Sequence, residues 1–234
     1  MGTMAASTLP ILSLPQEEIE YSVLELMGKE SIELFGDKIN LRKEAHDAFI
    51  EMKKAAYQDG YDIKIVSSYR DFYRQQAIWD RKYINYTEVD GMSPIVAMEK
   101  IIEYSTIPGT SRHHWGTEID VIDGYPKTNG DVLVPGKFEE GGPFEGLKLW
   151  MDQNSERFGF YLVYTDSVSR RGFKYEPWHY SYAPLSKSML AQFRRKNLVR
   201  LISEEEFEGA SELTTNFLRN YIHDNILDIN PELL

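Results

Sequence analysis

The chain has 234 residues, 37 acidic and 26 basic side chains, a net charge of −11, and 42% hydrophobic and 13% aromatic residues. That length and apolar content suffice for one folded domain with attachments, while the negative charge and the lack of a basic stripe with interleaved aromatics exclude nucleic acid as an expected partner. With no cysteine, disulfides and thiolate metal ligands are excluded, so any metal must be held by nitrogen and oxygen.

In chain order, Met1 to Met4 reads as a cloning remnant and Thr8 to Pro15 as a short, proline-bounded apolar segment. It has neither the charged start of a secretory signal nor the ~18 apolar residues of a membrane span, and no other stretch reaches that length. Leu41 to Gln58 carries Ala45, Phe49, Met52 and Ala56 at helical spacing, which predicts an amphipathic helix ended by Gly60. Asp62 to Ser68 alternates as a strand and delivers Arg70 just before a second helix, from about Asp71 to Tyr83. Asn85 to Ile107 reads as an insertion holding one helix, capped by Ser93 with Pro94 at its first position, and it leads into a turn at Pro108 and Gly109. Thr117 to Ile122 is then expected as a strand, Asp123 to Gly142 as a long loop and Pro143 to Arg157 as a helix. Phe160 to Thr165 and Phe173 to Tyr182 follow as strands joined by a polar hairpin loop, Asp166 to Gly172. The order helix, strand, helix, strand, helix, strand, strand predicts an α+β fold, a small antiparallel sheet flanked by helices.

The last part of the chain is charged unevenly. From Ser203 to Leu234 there are eight acids against one base, Arg219, whereas Lys187, Arg194, Arg195, Lys196 and Arg200 form a stretch without an acid. Two helices that pair through complementary charge are the expectation, as a helical C-terminal extension packed on the domain. The expected boundaries are residues 1–36 for an N-terminal extension, 37–184 for the domain and 185–234 for this C-terminal region.

Two segments carry the chemistry: SRHHWGTEID, from Ser111 to Asp120, and EPWHY, from Glu176 to Tyr180. A zinc site in a hydrolase takes three nitrogen or oxygen ligands and keeps a fourth position for water; His113, Asp120 and His179 fit that need. Glu176, three residues before His179, suits a proton acceptor. FKYEPWHYSY reads as an extended strand except at Pro177, where a bend points Glu176 and His179 inward together. His46 and His223 sit in polar helical surroundings and read as surface residues. His114 adjoins His113; in an extended segment the two face opposite sides, so one binds metal and the other lines the cleft or stands behind it. Trp115 and Trp178 flank the ligand segments, as cleft walls or as core.

PGTSRHHWGTEIDV (Pro108 to Val121), SSYR (Ser67 to Arg70) and YEPWHY (Tyr175 to Tyr180), with GFYLVY (Gly159 to Tyr164) before the last, resemble the signature blocks of VanY-like D-alanyl-D-alanine carboxypeptidases. These are zinc peptidases of the group that also holds lysostaphin-type enzymes and the hedgehog signalling domain. The likeness runs from about Leu41 to Ala183, with the blocks in the family's order. It implies that His113, Asp120 and His179 bind Zn2+, that Glu176 is the base, that Arg70 grips the peptide's terminal carboxylate, and that Ser111 and Gln75 belong to the same pocket. A guanidinium suits that role, because it holds a carboxylate through two parallel hydrogen bonds. The chain departs from the family's pattern at His114, where relatives commonly have glutamine, and at Thr117 and Glu118, which replace apolar or small residues. Glu118 is expected to face solvent.

The resemblance implies a zinc D,D-carboxypeptidase that removes the terminal D-alanine from peptidoglycan stem peptides. Its rivals are an L,D-carboxypeptidase acting on the tetrapeptide stem, a metal-binding module of the same fold without catalysis, and a plain interaction domain in which the histidines are structural. It also implies a place in the cell envelope, with the export signal or lipid anchor removed from this chain; a cytoplasmic protein is the alternative.

Overall fold

A computed structural model describes residues 19–234; the segments Met1 to Met4 and Thr8 to Pro15 lie outside them. The architecture is α+β, as expected: four short strands form one antiparallel sheet in the order β1-β2-β4-β3, with helices around it. The strands are β1 (Ile63–Ser67), β2 (Glu118–Asp123), β3 (Phe160–Leu162) and β4 (His179–Tyr182). A short helix, α1 (Val23–Leu26), precedes α2 (Lys43–Gln58), α3 (Phe72–Ile84), α4 (Pro94–Ile101) and α5 (Glu145–Asn154), and α6 (Ala183–Phe193), α7 (Leu198–Ser203) and α8 (Thr215–Tyr221) follow the sheet.

Local chemistry explains most boundaries. The apolar stripe of α2 is buried at Ala45, Phe49, Met52 and Ala56, and the helix stops where Gly60 takes the left-handed conformation at φ 93°. Asp71 caps α3 by accepting the Arg74 N–H at 2.7 Å, and Pro94 opens α4 where a missing N–H costs nothing. The last two strands are shorter than the sequence suggests. Pro177 has no N–H to offer a ladder, and the chain between them is held by other means: the Glu176 N–H donates to the Tyr164 carbonyl at 3.1 Å, and Arg170 donates to the carbonyls of Thr165 and Phe173 at 2.7 and 2.8 Å.

Side-chain alternation divides the sheet. Ile63, Ile119, Val121 and Tyr180 enter an apolar core with α2 and with Leu147, Trp150 and Met151 of α5. A second core joins Leu26, Trp79 and Met98 to Leu190, Phe193, Leu198, Leu218 and Tyr221 from the C-terminal helices. Apolar burial, at ~1.5–3 kcal/mol for each large side chain, is therefore what holds that region down. Pairing between its basic and acidic helices does not: among the described residues, Arg194, Arg195 and Lys196 make no ion pair, and Arg200 pairs with Glu204, one turn away and exposed. Glu205 pairs instead with Lys29, near the other end of the chain. Among the described residues no helix is long and apolar enough to cross a membrane.

Candidate metal centre and its cleft

The register of the sheet assembles the site. Asp120 on the central strand β2 lies opposite Ser67 of β1 on one side and His179 of β4 on the other, so a carboxylate and an imidazole share one face. His113 reaches them from a single 3-10 turn, Arg112–Trp115, whose start is fixed by Ser111 Oγ accepting the His113 N–H at 3.3 Å and whose end is Gly116 at φ 69°. The pair His113 and His114 thus lies on a turn and not on an extended segment. Ligand atoms of His113, Asp120 and His179 all lie within 4.8 Å of one another, and all three residues are buried.

Each imidazole is oriented from behind. His113 Nδ1 donates to the Ser68 carbonyl at 2.6 Å, which leaves Nε2 as a lone pair 3.4 Å from Asp120 Oδ2. His179 Nε2 lies 3.1 Å from Glu118 Oε2, and its Nδ1 faces Glu176 Oε2 at 2.9 Å and Asp120 Oδ1 at 3.7 Å. Asp120 Oδ1 is buried with no hydrogen-bond partner, a cost that a bound cation removes. Two inward nitrogens and one carboxylate, without sulfur, fit a zinc ion.

The electrostatics point the same way. Burial and the nearby Arg70 charge push His113 down to about 4, keeping it neutral. Burial opposes the charge on Asp120, but the two imidazoles outweigh it and hold the carboxyl at about 2. Burial also opposes a charge on His179, yet Asp120, Glu118 and Glu176 outweigh it and push that imidazole up to about 10. Three carboxylates around one ring make a place for a cation, filled by a proton or, in its stead, by a metal. Glu176 is raised by burial, against the pull of His179.

One expectation fails. Glu118 does not face solvent; it is 0% exposed, with Ser181 Oγ donating to Oε1 at 2.7 Å and Arg112 Nη2 at 3.3 Å. Burial works against its charge, but Arg112 and His179 hold it at about 2. The signal was present in the sequence: residues two apart on a strand share a face, so Glu118 had to accompany Asp120. His114 is equally buried and lies outside the group of His113, Asp120 and His179, donating from Nδ1 to the Arg70 carbonyl at 2.6 Å. Burial keeps it neutral, at about 3.

Beside the triad opens a cleft of about 410 Å³ lined by Arg70, Lys82, Ser111, Tyr164, Glu176 and Trp178, among others. Arg70 follows β1, and its Nη1 donates to Gln75 Oε1 at 3.0 Å while its Nε is buried without a partner. Gln75 is itself buried behind Arg70, its amide donating to the Thr106 carbonyl at 2.8 Å, so it orients the guanidinium and does not line the cleft. Lys82, at the end of α3, adds a second cation that sequence reasoning missed, and burial lowers its pKa. The two tryptophans divide: Trp178 walls the cleft against Phe138, with ring centroids 5.6 Å apart, whereas Trp115 is core, its N–H donating to the Leu26 carbonyl at 3.1 Å.

A family model described as D-alanyl-D-alanine carboxypeptidase, VanY, matches residues 38–185, more than half of the chain. The chain belongs to the VanY family. An uncharacterized protein of Haemophilus influenzae is 35% identical over 112 residues, 47% of this chain and 86% of that protein. A D-alanyl-D-alanine carboxypeptidase of Enterococcus faecalis is 31% identical over 149 residues, 63% of this chain and 49% of the relative, so this VanY-family chain matches about half the length of that enzyme. Among solved structures, VanYB in complex with D-alanine-D-alanine superposes with a TM-score of 0.54 at 24% identity, covering 76% of this chain and 92% of that one. A variant of the vancomycin resistance D,D-pentapeptidase VanY in complex with Zn(II) gives 0.52 at 24% identity, covering 68% and 81%. These likenesses establish the VanY fold.

Proposed function

We propose that this VanY-family carboxypeptidase is a zinc D,D-carboxypeptidase that removes the terminal D-alanine from peptidoglycan stem peptides. The observation that carries the reading is the convergence, in one cleft, of three buried ligand atoms within 4.8 Å of each other with a buried carboxylate, Glu176, and a guanidinium, Arg70. His113 through Nε2, Asp120 and His179 through Nδ1 would hold the metal. A zinc ion there supplies Lewis acidity and lowers the pKa of water beside it.

Every other step belongs to the chain. Arg70, held by Gln75, grips the peptide's terminal carboxylate through its free N–H groups, which sets the scissile amide beside Glu176. Ser111 lines the same pocket and keeps His113 in place. Water adds across the amide: its proton passes to Glu176, whose raised affinity for protons suits it to accept one, and then to the departing amine nitrogen as the C–N bond breaks. Trp178, backed by Phe138, walls that side of the cleft. The peptidase unit we assign to residues 37–184, with 1–36 and 185–234 as structural extensions, and its place of work to the cell envelope, where stem peptides are found.

Digestion of defined muropeptides by the zinc-loaded protein, read by mass, tests the reading. Loss of one D-alanine from the pentapeptide, with the tetrapeptide untouched, is the expected result. Shortening of the tetrapeptide alone would make the protein an L,D-carboxypeptidase. Stoichiometric zinc with neither product would make it a metal-binding module without catalysis.

A further inference from the structure

The network behind His179 has no place in the mechanism above, yet its polar groups are almost wholly buried. Glu118, Ser181 and Ser186 are each 0% exposed, and Arg112 is 4% exposed. Glu118 accepts from His179 Nε2 through Oε2 at 3.1 Å. Its Oε1 accepts from Ser181 Oγ at 2.7 Å and from Thr117 Oγ1 at 3.1 Å, with Arg112 Nη2 at 3.3 Å. Arg112 Nη2 also donates to Ser181 Oγ at 2.7 Å, and Ser186 Oγ lies 2.7 Å from the same hydroxyl. Arg112 lies over the Trp115 ring at 4.8 Å. A buried carboxylate with a buried counter-ion, Arg112, and three polar neighbours, His179, Ser181 and Thr117, is an expensive arrangement to keep without a use.

We propose that Glu118 is a positioning residue for the metal centre: it fixes His179 in the tautomer that carries its proton on Nε2 and so commits Nδ1 to the metal. The proposal rests on the reading of His113, Asp120 and His179 as metal ligands. The geometry leaves little choice about direction. Glu118 sits on the side of the ring away from Asp120 and Glu176, so a proton held at Nε2 satisfies Glu118 and frees Nδ1, the nitrogen that faces both of them. A carboxylate accepting from the outer nitrogen also makes the ring a stronger electron donor, and loss of such a partner typically weakens metal binding or activity about 10- to 100-fold. Arg112 and Ser181 hold the carboxylate in turn, and β2 and β4 fix both ends, because Glu118 and Ser181 are directly paired across the strands.

The experiment measures the zinc dissociation constant by chelator competition for the unmodified protein, for Glu118→Gln, and for Glu118→Gln with Arg112→Met, which leaves no stranded cation. Nitrogen NMR of the histidine rings in the zinc-loaded, unmodified protein accompanies it and needs no variant to fold. The expected result is a dissociation constant raised about 10- to 100-fold in both variants, with His179 protonated on Nε2 and its Nδ1 shifted by metal. At saturating zinc, Glu118→Gln should lower kcat with little change in KM. A folded variant that binds zinc as tightly as the unmodified protein, or a His179 bound through Nε2, overturns the proposal and leaves the metal centre standing. An unmodified protein that takes up no stoichiometric zinc overturns the metal reading itself.

Discussion

The two faces of strands β2 and β4 are built from alternate residues of the same few positions, and they could hardly differ more. One face carries Ile119, Val121 and Tyr180 into the apolar core; the other carries Glu118, Asp120, His179 and Ser181, all buried and all polar. The apolar face is indifferent to which partner each side chain meets, since burial is roughly proportional to area. The polar face is not, because each buried group needs a particular donor or acceptor. The rigid face thus supplies stability, and the polar face spends part of it on a fixed arrangement of charges.

The comparison breaks most sharply at Asp120. Asp120→Ala should abolish stoichiometric zinc binding and turnover together, seen by metal analysis and by loss of any zinc-dependent rise in Tm. Glu176→Ala should separate the two, lowering kcat by about 10²- to 10⁴-fold while metal content, measured on the same sample, stays at one zinc per chain. On the opposite face, Ile119→Ala should cost about 2–5 kcal/mol of stability in urea unfolding and leave the zinc dissociation constant unchanged; a matching loss of affinity would show that the faces are not independent. Arg70→Met should raise KM by about 10- to 100-fold, the worth of a charged hydrogen bond, with zinc binding intact. The last effect concerns pH. His114 is held neutral down to about 3 in the folded protein, whereas an unfolded histidine takes up a proton near 6.5. Its contribution is therefore full above about 6.5 and is lost as pH falls toward 3, at up to about 1.4 kcal/mol per pH unit. Chelator-treated His114→Gln should show a flatter fall in stability between those limits than the unmodified protein does.

Much of this was legible in advance, for physical reasons that can be named. Helix α2 was visible because its apolar spacing is set by its own buried face, and Asp120 could be grouped with His179 by ligand chemistry and resemblance, although only the structure shows that their strands pair. The length of β4 was not visible, because Pro177 ends the ladder while Phe173 and Tyr175 before it are strand-like in composition and Phe173 stays buried. Glu118 was misread because a carboxylate is ordinarily exposed; what reverses that is Arg112, six residues earlier, brought beneath it by a turn that the doublet of histidines disguised. Lys82 was missed because a lysine at the end of a helix looks like a dipole partner until the cleft around it is known. In the C-terminal region the expected charge pairing is not what packs the helices: Leu190, Phe193, Leu198, Leu218 and Tyr221 do so, and charge is only the more conspicuous feature of that sequence.

One contact of that region bears on how the protein comes to fold. The Tyr221 hydroxyl, on the last α-helix, accepts the Ile107 N–H at 3.0 Å and lies 2.7 Å from Thr110 Oγ1, so the turn that leads into Ser111 and His113 is tied down from a point more than a hundred residues further along the chain. Closing a loop of that size is entropically costly and slow compared with forming a helix or a hairpin. A substitution that loosens the docking of Tyr221 is therefore expected to be felt at the turn of Ser111 and His113, far from it in sequence.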